Sequence, residues 1–190
     1  GHIYGAHSAS IYPAASILGS IDLLNSLETK FMILLGDIVH KSNSTQIKAL
    51  KNSFLSKLSL PVFNARGNHD AIGQDSYKNT FGPNYSSFQV GSELFLFLDS
   101  ELGDGQIEGP QLEFALKEIR RFGESPRLKN IFIFTHRLLW AIENPPYNEI
   151  IPFTNGPGNH RKTMTSVRNI LIPKLKIYVD KQVFFVSGDI

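Results

Sequence analysis

The stretch LPVFNARGNHD, residues 60–70, decides how this chain is to be read. A short apolar run after a proline suits a strand buried on both faces, and here it switches abruptly to glycine, asparagine, histidine and aspartate. The same design occurs three more times. KFMILLGD (30–37) runs into Gly36-Asp37, LKNIFIFTH (128–136) into His136, and KQVFFVSGDI (181–190) into Gly188-Asp189. In layered α/β folds, sites gather at strand carboxyl ends, where loops present side chains on a rigid base. The four tips are therefore expected to converge.

The segments between the tips read as crossover elements. Ser10 to Leu27 places Ile17, Leu18, Ile21, Leu24 and Leu27 at helical spacing, with Pro13 tolerable in a first turn, and predicts an amphipathic helix. Asn43 to Leu58 predicts a second helix, which completes a β-α-β unit with the two flanking strands. SSFQVGSELFLFLDS (86–100) holds two β-rich runs joined at Gly91-Ser92, a hairpin pattern. GPQLEFALKEIRRF (109–122) predicts a helix opened by Pro110, and Thr165 to Leu175 another. Trp140 to Lys162 is too irregular for core and is the candidate lid. No repeat or linker interrupts residues 1–190, which read as one domain.

Bulk properties narrow the function classes. At 190 residues and 42% hydrophobic content the chain can bury a core. A formal charge of +2, without a basic run or basic-aromatic stripe, gives no footprint for nucleic acid. No stretch approaches the roughly 18 apolar residues of a membrane span, and no signal-peptide pattern opens the chain. The absence of cysteine excludes disulfides and thiolate ligands, leaves the compartment open, and requires any metal to be held by nitrogen and oxygen. Oligomeric state is not legible.

Asp37, Asn68, His136 and Asp189 offer carboxylate, amide carbonyl and imidazole donors, a mixture suited to Mn, Fe or Zn rather than calcium. One or two such divalent ions polarise a phosphoryl oxygen and acidify a bound water, and in a dinuclear centre Asp37 is the natural bridge. His69 would face the substrate as cation or general acid, with Asp70 fixing its tautomer and raising its pKa.

Taken in order, LLGDIVH (34–40), GNHD (67–70), IFIFTH (131–136) and the Gly188-Asp189 end resemble the calcineurin-like metallophosphoesterases, whose motifs are D-x-H, GDxxD, GNH[DE], H and GHxH. The resemblance spans the chain. It implies a four-layered α/β/β/α sandwich and metal-dependent hydrolysis of a phosphomonoester or phosphodiester. It also brings departures. His40 stands at the third position after the GD aspartate, where the purple acid phosphatase branch has a metal-ligating tyrosine, so His40 either ligates or hydrogen-bonds the site from outside. GHIYG (1–5) places His2 on the first motif's Asp and Tyr4 on its His, and Asp189 replaces a His of the last motif. The exchanges at residues 2 and 189 leave the formal ligand charge unchanged. The resembled fold has a strand before its first motif and more after its last, so the sandwich is expected to be incomplete at both ends and the natural protein longer.

Plainer readings stand beside these. Asp37 can cap a helix, Asn68 to Asp70 can form a turn, His136 can be a core histidine, and Asp189 can be solvent-exposed. Arg66 either touches phosphate or lies on the surface. His160 and Arg161, in the candidate lid, are weaker substrate-contact candidates, and His7 reads as a loop residue. The rival to an enzyme is a phosphoesterase-like binding or scaffold protein that lost hydrolysis through its altered first motif.

Overall fold

The computed structural model describes residues 1–5, 10–102, 105–138, 149 and 165–189. His7, His160, Arg161 and nearly all of the candidate lid lie outside the described residues. Strands β1 (Met32–Leu34) and β2 (Val62–Asn64) pair in parallel as a small sheet. Strands β3 (Ser86–Val90), β4 (Glu93–Phe97), β5 (Asn130–Thr135) and β6 (Gln182–Ser187) form a second sheet in that order, antiparallel across the hairpin and parallel thereafter. The hairpin turns at Gly91-Ser92 as expected, with Val90 opposite Glu93 and Gly91 at φ 58°.

The alternation along the second sheet dictates the layering. In β4 and β5, Leu94, Leu96, Ile131 and Ile133 point to one face and are fully buried against α5 (Gly109–Glu124), through Ala115, Ile119 and Phe122. Each such side chain contributes about 1.5–3 kcal/mol relative to exposure. On the other face, Phe95, Phe97, Phe132 and Phe134 meet Ile33, Leu35 and Phe63 from the small sheet. The rings interlock, with centroids 4.2 Å apart for Phe63 and Phe88 and 4.9 Å for Phe97 and Phe134. Helices α1 (Ala15–Gly19), α2 (Ile21–Ser26), α3 (Ser44–Ser53) and α4 (Gln74–Phe81) belong to the outer side of the small sheet, where Ile47, Leu50 and Tyr77 pack with Leu34. The result is a helix, sheet, sheet, helix sandwich.

Two predicted helices are shorter than their periodicity. The first begins only at Ala15, because Tyr4 bridges to Pro13 and Ala14 stays extended, and it breaks at Ser20 into α1 and α2. The second opens at Asn43, whose side chain accepts from Gln46 N at 2.9 Å, but ends at Ser53. Phe54 leaves helical geometry there, and a 3₁₀ turn, Leu55–Lys57, follows. The predicted fourth helix, Thr165 to Leu175, is a π-helical turn, Val167–Leu171, running into α6 (Ile172–Leu175). Among the described residues no helix is long and apolar enough to cross a membrane.

Candidate metal centre

The four tips meet, although they leave two different sheets. Gly36 and Asp37 follow β1 at φ 82° and 54°; the second value is uncommon for a residue with a Cβ and marks a strained turn. At Gly36 a Cβ would collide with the His136 ring, and at Gly67 with the Asp37 carboxylate. Glycine at both places lets the backbone close in around these side chains.

Asp70 holds the turns. Its carboxylate accepts from the backbone N–H of Asp37, Ile38 and Gly67 at 2.9 Å each and of Val39 at 3.3 Å. Burial, partly offset by these donors, pushes its pKa up to about 6. It therefore does not do what the sequence predicted for it, because both oxygens face backbone donors. His69 is oriented by the His40 carbonyl oxygen, 3.0 Å from Nδ1. A carbonyl only accepts, so Nδ1 carries hydrogen.

Around Asp37, which is 1% exposed, the donors converge. His2 Nε2 lies 3.0 Å from Asp37 Oδ2 and 3.7 Å from Asp189 Oδ1. His136 Nε2 lies 3.5 Å from Asp37 Oδ1, 3.6 Å from Asp189 Oδ1 and 3.2 Å from Asn68 Oδ1. One ligand atom each from His2, Asp37 and His136 fits within a mutual 4.8 Å. His136 Nδ1 sits 2.8 Å from the Leu35 carbonyl, which turns the Nε2 lone pair toward Asn68 Oδ1, also an acceptor. A proton or a cation must reconcile two acceptors this close, and the oxygen and nitrogen donors present are of the kind a divalent ion accepts. Asp189 is fully buried, so the solvent-exposed alternative for it does not hold.

The local charges agree with this arrangement. The hydrogen bond to Asp37 raises the His2 pKa against the opposing effect of burial. Burial would raise Asp37, but the His2 hydrogen bond and the neighbouring histidines outweigh it and hold the carboxyl below its usual range.

At the more open side, Tyr4, His40 and His69 form a ring cluster. Tyr4 and His69 have centroids 5.0 Å apart, His40 and His69 4.9 Å, and Tyr4 and His40 5.8 Å. The His40 ring thus borders His69, and His40 is not among the three residues of the tight group. Arg66 is placed unlike either expectation. It is 1% exposed, pairs with Asp99 at 2.7 Å and lies over the Tyr77 ring, 5.7 Å from its centroid, so its charge is compensated inside the fold. Sequence reasoning missed Arg137, which pairs with both Glu101 and Asp189. Its one signal was adjacency to His136.

A four-layered sandwich with carboxylate, imidazole and amide groups gathered at its strand ends defines the metallophosphoesterase class. The calcineurin-like phosphoesterase family model matches residues 12–187, and the chain belongs to that family. It is similar to the serine/threonine-protein phosphatase CPPED1 of Rattus norvegicus (27% identity over 135 residues, 62% of this chain and 43% of the relative) and of Homo sapiens (26% over 136 residues, with the same coverage). The chain thus spans less than half the length of these relatives. A solved purple acid phosphatase from yellow lupin seeds aligns with a TM-score of 0.49 and 16% identity, over 65% of this chain and 26% of that one.

Proposed function

We propose that the chain carries a metal-dependent phosphoric ester hydrolase centre, with one or two Mn, Fe or Zn ions held by His2, Asp37, Asn68, His136 and Asp189. The observation that carries the reading is the convergence of His2, Asp37 and His136 ligand atoms within 4.8 Å, with Asn68 and Asp189 beside them. When bound, such an ion polarises a phosphoryl oxygen and lowers the pKa of water. Asp37 turns Oδ2 to His2 and Oδ1 to His136, so one carboxylate serves both sides of the centre. His136 is oriented by the Leu35 carbonyl, and Asp70 holds the two glycine turns at the distance the donors need. His69, its Nδ1–H directed at the His40 carbonyl, would as an imidazolium donate from Nε2 to a departing ester oxygen.

The relatives are named as serine/threonine-protein phosphatases, which makes a phosphomonoester on a protein hydroxyl the substrate to test first, ahead of a phosphodiester. The test is hydrolysis of a phosphoserine peptide and an aryl phosphodiester by metal-stripped chain with and without added Mn(II). Turnover that needs Mn(II) and is lost in His69→Ala is expected. Inactivity toward both substrates with metal demonstrably bound would overturn the proposal.

A further inference from the structure

Asp189 presents a chemical problem. A buried carboxylate carries two equivalent oxygens and a charge that is costly to leave uncompensated, and with both oxygens available it would chelate, bridge or rotate. In this structure the two oxygens are distinguished. Oδ2 accepts from Arg137 Nη1 at 2.7 Å, while Oδ1 faces His136 and His2 at 3.6 and 3.7 Å. Arg137 is itself held as a fork, its Nε and Nη2 donating to Glu101 Oε1 at 2.7 Å and Oε2 at 3.1 Å. Glu101 is anchored in turn, since its backbone N–H donates to Asp99 Oδ1 at 2.8 Å and Asp99 pairs with Arg66. The Arg137 side chain is 6% exposed and Glu101's 11%, so the pairs act in a medium where geometry and charge count more than they do in water.

We propose that Arg137, oriented by Glu101, is a positioning residue that makes Asp189 a one-oxygen metal ligand. The proposal rests on the metal-dependent reading above and extends it to a group outside the donor set. Arg137 withdraws Oδ2 from the ligand field and fixes the carboxylate plane, so that Oδ1 completes the side of the centre formed by Asp37, Asn68 and His136. A lysine can supply the charge at this position but not the fork, so the orientation of Asp189 would be only partly kept.

The experiment is a titration of metal-free chain with Mn(II) alone, followed by the electron paramagnetic resonance signal of free Mn(II) and by calorimetry. The proteins are wild type, Arg137→Ala, Arg137→Lys, Asp189→Ala, and the Arg137→Ala/Asp189→Ala double variant. Arg137→Ala is expected to weaken one bound ion about 10–100-fold, the range for lost partners of metal ligands, with partial recovery in Arg137→Lys. Because Arg137 acts through Asp189, the double variant should bind no more weakly than Asp189→Ala. Unchanged affinity in Arg137→Ala, or additive losses in the double variant, would overturn the positioning role while leaving the metal site intact. If Arg137→Ala does not fold, Glu101→Gln keeps Arg137 and Asp189 in place and should show a smaller loss in the same direction; wild-type affinity there overturns the proposal. Wild type that takes up no Mn(II) would instead sink the metal-dependent reading, and this inference with it.

Discussion

The centre has two unlike halves. Asp37, His136 and Asp189 are at most 1% exposed and lie just past the ends of β1, β5 and β6, and the last two are tied by Gly188 and Asp189 N–H groups that both donate to the His136 carbonyl at 3.1 and 3.0 Å. His2, Tyr4, His40 and His69 are only partly buried, and the segment bearing His2 joins the β1 tip through His2 N to Gly36 O at 3.2 Å and Ile3 N to Asp37 O at 3.1 Å. The departures from the resembled motifs at residues 2, 4 and 40 lie in the open half, whereas the one in the buried half, Asp189, comes with a dedicated cationic partner. An exchanged ionisable residue in a dry, packed place needs compensating partners at once, while a half-solvated one is tolerated with fewer.

Asp37 belongs to both halves, so its removal should erase the difference. Asp37→Asn is expected to lower metal affinity throughout the centre by roughly 10²- to 10⁴-fold, from the 3–5 kcal/mol typical of stripping one partner from a buried charged group. Calorimetry with Mn(II) checks it, and retention of one tight ion would show that the halves bind independently. Asp70→Ala comes next, because four backbone N–H groups lose their acceptor. At about 1–3 kcal/mol for a buried donor left unsatisfied, denaturant unfolding should show a loss of at least about 3 kcal/mol.

The sharpest separation of the halves comes from paired variants. His136→Ala should abolish tight metal binding, whereas His2→Ala should weaken it by about tenfold; metal analysis after dialysis distinguishes them. Equal losses would mean that the open half is as strongly built as the buried one. The smallest expected effect is on pH dependence. The raised His2 pKa means that, without metal, its pairing with Asp37 stabilises the fold fully below the ordinary value of 6.5 and that this contribution is lost as pH rises through the raised value. Thermal unfolding of metal-free chain should therefore show a falling slope above about pH 6.5 that His2→Ala flattens. An identical slope in the variant would place that titration elsewhere.

Much of this site is legible in the sequence because each donor ends a run of apolar residues whose burial is locally encoded. KFMILLGD, GNHD, IFIFTH and FFVSGD declare both a strand and the polar side chain at its tip. The roles of Asp70 and Arg66 were not legible. In GNHD, Asp70 is adjacent to His69 along the chain, yet its main partners lie some thirty residues away at Asp37 to Val39. Arg66 finds Asp99, and Arg137 finds Asp189 fifty-two residues on. Pairings of this kind depend on which strands lie side by side, and a single sequence carries no record of that.

The sequence by itself determined the alternation of Leu and Ile against Phe in β4 and β5, the glycines where backbone closes on His136 and Asp37, and the identity of the donors. Only the tertiary structure decided that these tips come from two facing sheets, that His69 is aimed by a carbonyl while Asp70 secures the turns, and that Arg137 gives Asp189 its orientation. The physical reason is range. Burial periodicity and turn chemistry are set by neighbours a few residues apart, whereas a buried charge is satisfied by whatever partner the folded layers bring within about 3 Å.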